Sequence, residues 1–157
     1  PTNTWVHVAF SYDGSSRASG LVVYVNGKPA PLEVLRDGLW KDFTYGGGEP
    51  DVSIGYRMRD NGFKDGQVDD LKIFNRALTA LEVAEVAGLG ELTRALTTPV
   101  AELTASQRQG LLEYFVGTSY APARHFHEEL GQLRREQNQL HAIARDREGL
   151  EVHIGPS

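Results

Sequence analysis

The sequence predicts a mainly β first half followed by an α-helical appendage, on three observations. Up to Phe74 the apolar residues fall in short runs rich in Val, Ile, Tyr, Phe and Trp, the composition and length of strands. Asn26-Gly27 stands between two such runs and supplies the two positive-φ positions of a type I′ hairpin turn. Beyond Phe74 the apolar period becomes that of helices, and two capping boxes mark helix starts.

The first strand is predicted over residues 5–12, Trp-Val-His-Val-Ala-Phe-Ser-Tyr, and Asp13-Gly14 ends it. Residues 21–25 and 28–34 flank Asn26-Gly27 and are expected to pair antiparallel across it. Further strands are expected over 52–54 and 68–74, with loops at 46–51 and 59–62 where Gly, Pro, Asp and Asn cluster.

Thr79-Ala80-Leu81-Glu82 opens the first helix. The Thr79 hydroxyl accepts the amide of the third helical residue while Glu82 reaches back to the cap. Thr104-Ala105-Ser106-Gln107 repeats the pattern before Leu111, Leu112 and Phe115. A helix over 105–116, a turn through 117–120 and a long helix from 122 to about 147 make an antiparallel helical hairpin. On the long helix Phe126, Leu130, Leu133, Gln137, Leu140 and Ala144 are spaced alternately by four and three, a heptad-like seam about three heptads long. Its length and the polar Gln137 keep it below an autonomous coiled coil. Residues 150–154 alternate like a short strand. The organisation read from this is a β module over 1–87, a linker over 88–103, the helical hairpin over 104–148 and a tail over 149–157.

Composition excludes several function classes. No run approaches the roughly eighteen apolar residues of a membrane span. The net charge of −5 and the lack of a dense Lys/Arg cluster argue against nucleic acid as a partner. There are no cysteines, so disulfides, thiolate metal sites, c-type haem attachment and cysteine nucleophiles are excluded within this chain. No charged-then-apolar signal peptide opens the sequence, and the start at Pro1 is read as cut from something longer.

Four blocks carry a family resemblance. Residues 5–14 hold a Trp-x-His-Val strand ending in Tyr-Asp-Gly, and 23–28 hold a Tyr-Val-Asn-Gly hairpin. Ser53-Ile54-Gly55-Tyr56-Arg57 resembles an Ile-Gly strand end, and residues 63–79, with Val68-Asp69-Asp70-Leu71-Lys72-Ile73-Phe74-Asn75-Arg76-Ala77-Leu78-Thr79, a closing strand that exits into a helix. In this order they resemble the C-terminal part of a laminin-G-like (concanavalin-A-like) module. The resemblance implies an antiparallel β-sandwich of jelly-roll type, here partial because the front strands are missing. Strands with apolar side chains on both faces need a facing layer and neighbours at both edges, so the helices or another copy are expected to cover the sheet. The full order, with the Leu111-Leu112-Glu113-Tyr114-Phe115 helix and the long charged helix, also resembles large secreted cytochrome-c-type proteins of planctomycete bacteria. That likeness implies an extracellular or periplasmic setting and neighbouring domains in a larger parent chain.

Candidate sites follow from the same segments. Trp40 and Tyr45 in one loop, with Arg57 and Asn61 in another, place flat rings beside polar forks, the mixture a sugar-binding groove uses. Trp40, Phe43 and Tyr45 also suit the anchoring of a long loop over the core, the heavier of the two readings. Asp69 alternates with Leu71 and Ile73 and is expected on the buried strand face. A buried carboxylate needs a partner: backbone amides, an Arg such as Arg76, or a cation, since the corresponding position of the family sometimes supplies oxygen to a structural calcium. His125 and Glu129 are an i,i+4 pair on the long helix, read as a solvated contact rather than a ligand set. His7 is expected to cap a hydrogen-bond network in the core, without a catalytic part.

Glucan-cleaving enzymes on this fold place paired acids on one strand face, whereas Asp69 and Asp70 are adjacent and point to opposite faces. The expected function is therefore a non-catalytic module binding carbohydrate or protein within a secreted multidomain protein. The alternatives are a purely architectural scaffold and a glycan-active hydrolase fragment. No cofactor beyond that calcium is implied, and self-association through an open sheet edge or the long helix is the further partner expectation.

Overall fold

A computed structural model of the chain describes residues 3–38, 54 and 65–151. It forms two compact units, one of Pro1–Lys41 with Arg76–Ser157 and the other Asp42–Asn75.

In the larger unit, β1 (Val8–Tyr12), β2 (Leu21–Val25) and β3 (Lys28–Pro29) form an antiparallel sheet in the order β1-β2-β3. The Asn26-Gly27 turn forms as expected: Asn26 has φ 50 and Gly27 φ 76, the signature that twists two flanking strands into register. Val25 stands opposite Lys28, and Val8 opposite Val25. Asn26 also ties down the residue that precedes β1, its amide donating to the His7 carbonyl at 2.8 Å and its side-chain oxygen accepting the His7 amide at 3.0 Å.

Paired residues of an antiparallel ladder share a face. The register therefore places Ala9, Ser11, Val22 and Tyr24 on one face and Val8, Phe10, Tyr12, Leu21, Val23 and Val25 on the other. The first face is the covered one: Tyr24 and Ser11 are buried, and the Ser11 hydroxyl donates to the Leu78 carbonyl at 2.9 Å. Phe10 on the second face is 71% exposed, and no described element covers that face.

Among the described residues four helices follow: α1 (Ala80–Val86), α2 (Glu91–Thr97), α3 (Ala105–Thr118) and α4 (Ala121–Glu151). Both capping boxes form, with Glu82 N donating to Thr79 Oγ1 at 3.4 Å and Gln107 N to Thr104 Oγ1 at 3.2 Å. Helix α1 ends in a Schellman motif. Gly88 has φ 79, its amide donates to the Glu85 carbonyl, and the Leu89 amide donates to the Ala84 carbonyl.

Helix α1 is the centre of the unit, touching α2, α3 and β3, and it supplies the fully buried Val83 and Ala84. Its neighbours come close because glycines face it. A Cβ on Gly27 would stand 2.7 Å from Leu89 Cδ1 and 3.3 Å from Ala84 Cα, and one on Gly110 of α3 would stand 2.8 Å from Leu81 Cδ1.

Residues 88–103, expected to be a linker, carry α2 and a 3₁₀ turn at Val100–Glu102. Gly90 precedes α2 without a capping side chain. The Glu85 carboxylate takes over, accepting the amides of Leu92 at 3.1 Å and Thr93 at 3.2 Å and the Thr93 hydroxyl at 2.7 Å. The Thr93 bonds hold the Glu85 carboxyl below its ordinary value, as expected for a carboxylate at a helix N-terminus. Replacing Glu85 with Ala is expected to speed amide hydrogen exchange at Leu92 and Thr93 while leaving the α3 amides unchanged.

Helix outweighs strand among the described residues, against the mainly β expectation. Two facts produce this. The strand expected over 52–54 lies outside the described residues except for Ile54, and residues 68–74 show no strand pairing. Helix α4 also runs through Leu150 and Glu151, where a short strand was expected, because the helical ladder of the preceding turns continues into it; residues 152–154 of that stretch lie outside the described residues. No described helix is long and apolar enough to cross a membrane.

Candidate functional site

Trp40, Tyr45, Arg57 and Asn61, the candidate ligand-binding residues, lie outside the described residues. Asp69, the candidate metal ligand, is described and is exposed rather than buried. Its neighbour explains the difference. Asp70 has φ 56, a left-handed conformation that interrupts strand alternation, and its amide donates to Asp69 Oδ1 at 2.8 Å. Leu71 and Ile73 are exposed as well, at 60% and 74%.

Of the partners weighed for Asp69, a backbone amide is the one present among the described residues, and Arg76 pairs with Glu82. Asp70 itself accepts from Lys72 Nζ at 2.7 Å. Calcium takes six to eight oxygen ligands, and among the described residues no three His, Asp or Glu side chains converge on a common point. The described donor set around Asp69 does not fit a calcium ion.

The polar centre of the described structure is instead the exit from the β module. Arg76 forms a two-pronged ion pair with Glu82, the Arg76 Nη1 to Glu82 Oε2 bond measuring 2.9 Å. The same carboxylate accepts the Thr79 amide at 2.9 Å and the Thr79 hydroxyl at 3.0 Å. Burial alone would raise the Glu82 carboxyl, but the bonds from Arg76 and Thr79 outweigh it and hold the group below its ordinary value. With both Glu82 oxygens engaged, the cluster clamps the start of α1 to the segment leaving the β module. The capping box announced Glu82 from sequence; the partnership of Arg76, six residues earlier, had no local signal.

His7 Nδ1 is enclosed and has no hydrogen-bond partner among the described residues, so the expected network cap is not formed there. His125, His127, Glu128 and Glu129 are all exposed on α4. An open cleft is lined by Leu81, Glu91, Arg94, Thr104, Ser106 and Gln107. Its Thr104 and Gln107 are already spent on capping α3 and Arg94 donates to the Leu89 carbonyl at 3.3 Å, so it is a seam between helices.

Comparison with known proteins gives the β half its place. The chain matches the laminin-G-type family described as the concanavalin A-like lectin/glucanases superfamily over residues 1–84. Among solved structures it is similar to an S-layer domain-containing protein from Clostridium thermocellum, at 26% identity and a TM-score of 0.36, over 55% of this chain. The chain spans 41% of that structure's length. No curated protein matches. The match over residues 1–84 takes in the hairpin, the closing segment and the capped entry into α1, and the chain belongs to the concanavalin A-like lectin/glucanases superfamily.

Proposed function

We propose that this chain is part of a non-catalytic binding module of a secreted multidomain protein, with carbohydrate or protein as its ligand. The observation that carries the reading is the superfamily match across the β half, in which the flanks of Asn26-Gly27 pair antiparallel as expected. Trp40, Tyr45, Arg57 and Asn61 combine flat rings with amide and guanidinium donors, the chemistry that grips a pyranose face and its hydroxyls. On this reading the module performs no reaction of its own and needs no cofactor. The parent is a large secreted protein, and the cytochrome-c-type planctomycete proteins that the residue order resembles are the class that fits.

A glycan array probed with the protein tests the proposal. The expected result is reproducible binding to a defined glycan subset, reduced at least about tenfold by Trp40→Ala or Tyr45→Ala, since a stacked ring contributes about 1–2 kcal/mol. Binding that both variants leave unchanged refutes these residues as the ligand site.

One observation favours a second, architectural reading. The sheet face of Val8, Phe10, Tyr12, Leu21 and Val25 is apolar and exposed, a surface suited to contact with a neighbouring domain. Silence on the array, together with protection of β1 from proteolysis only when the flanking parent sequence is present, would be the outcome of that reading.

A further inference from the structure

Helix α4 is oriented the opposite way from an ordinary surface helix. The side chains it turns to its own domain are polar or small. Arg134 Nη1 donates to the Asp13 carbonyl at 2.7 Å, Ser16 Oγ donates to Asn138 Oδ1 at 3.2 Å, and Gly131 and Ala142 are half-buried on the same side. Its apolar residues face out: Phe126, Leu130, Leu133 and Leu140 are 66%, 42%, 55% and 68% exposed. Two hydrogen bonds to the connection between β1 and β2 therefore hold the helix, and among the described residues its hydrophobic seam stays exposed.

We propose that this seam pairs in parallel with the same seam of a second copy, making α4 a two-stranded coiled coil anchored on two β modules. The spacing assigns Leu130, Gln137 and Ala144 to a positions and Phe126, Leu133 and Leu140 to d positions. The e positions are then His127, Arg134 and His141, and the g positions Glu129, Glu136 and Ile143.

Those flanks choose both partner and direction. In a parallel pair each g residue meets the e residue five positions on in the other chain. Glu129 meets Arg134 of the second copy, and Glu136 meets His141 of the second copy. An antiparallel pair sets g against g and e against e, bringing glutamates together on one side and basic groups together on the other, a repulsion that disfavours it. Arg134 spends one of its five N–H donors on Asp13, so its guanidinium has donors for a second carboxylate. Gln137 at an a position opposes its own copy only in the parallel register, where two amides satisfy each other, the known use of a single polar a residue. The seam is about three heptads, short for free peptides, but each helix is already held on its own domain, so association does not have to order it.

Sedimentation equilibrium of the whole chain tests the proposal. The expected mass at high protein concentration is twice the 17.3 kDa monomer, with Leu133→Glu weakening association at least about tenfold. Leu133 is exposed in the single chain, so an unchanged circular dichroism spectrum certifies that the variant still folds. Direction is read separately, because the chain has no cysteine. Leu130→Cys alone crosslinks under oxidation in the parallel pair, whereas an antiparallel pair crosslinks only in a mixture of Leu130→Cys and Leu140→Cys. A monomer at all concentrations, association that survives Leu133→Glu, or crosslinking only in the mixture would each overturn the proposal.

Discussion

Replacing Glu82 with Ala is expected to destabilise the folded chain by about 2–3 kcal/mol, measured as a fall in the urea midpoint at neutral pH with an unchanged slope. Glu82 is only 7% exposed and serves three tasks: half of an ion pair, half of the α1 capping box, and the link between the module exit and the first helix. Loss of the cap alone costs about 1 kcal/mol. Breaking a wholly buried pair would cost about 3–5 kcal/mol. The Arg76 side chain is 40% exposed and rehydrates once abandoned, which keeps the expected loss below that range.

The same residue fixes part of the acid limb of stability. The folded Glu82 carboxyl lies below its ordinary value, so the unfolded chain binds the proton more readily. Its contribution is fully present above the ordinary glutamate value and is lost as pH falls through the lower folded value. Asp13 and Asp37 add to the limb with the same sign. Burial pushes Asp13 up but bonds from Ser15 and the Arg134 charge outweigh it, and the amides of Ala18 and Gly38 depress Asp37. Stability profiles between neutral and acid pH should therefore fall less steeply for Glu82→Ala than for the native chain; parallel profiles would show that the Glu82 proton is not linked to folding.

Replacing Gly27 with Ala is expected to cost about 2–5 kcal/mol. A non-glycine residue in the left-handed region pays about 1–2 kcal/mol, and an overpacked contact a further 1–3 kcal/mol or so. Both apply at Gly27, with φ +76 and an added methyl 2.7 Å from Leu89 and 3.3 Å from the α1 backbone at Ala84. Gly14 is the control, since φ is +74 there and nothing lies within 4 Å. Gly14→Ala should show the conformational cost alone, and the difference between the two urea midpoints measures how tightly the hairpin tip seats on α1. Equal losses would mean that Leu89 moves aside freely.

What could be read from the sequence lay in signals a few residues long. Asn26-Gly27 specified its turn because few other residues accept two successive positive φ values, and each Thr with a Glu or Gln three positions later specified a helix start because the reciprocal bonds close within one turn. Burial of Asp69 was expected on the same local basis, and the residue is exposed. Alternation assumes an unbroken extended backbone, and the left-handed Asp70 breaks it. For Trp40, Tyr45, Arg57 and Asn61, sequence named the chemistry and the described structure does not reach them.

By itself the sequence determined the hairpin, the two capped helices, the heptad spacing of α4 and the membership in the superfamily. Only the tertiary structure decided which sheet face is covered, that Arg76 belongs to Glu82, that Gly27 and Gly110 are points of close approach to α1, and that α4 turns its polar side inward. The physical reason is one of range. Turns, caps and periods are set by torsions and hydrogen bonds between near neighbours. The face a strand or helix buries depends on which distant surface is available to meet it, and here the Asp13 carbonyl and Ser16 meet Arg134 and Asn138 across more than a hundred residues of chain.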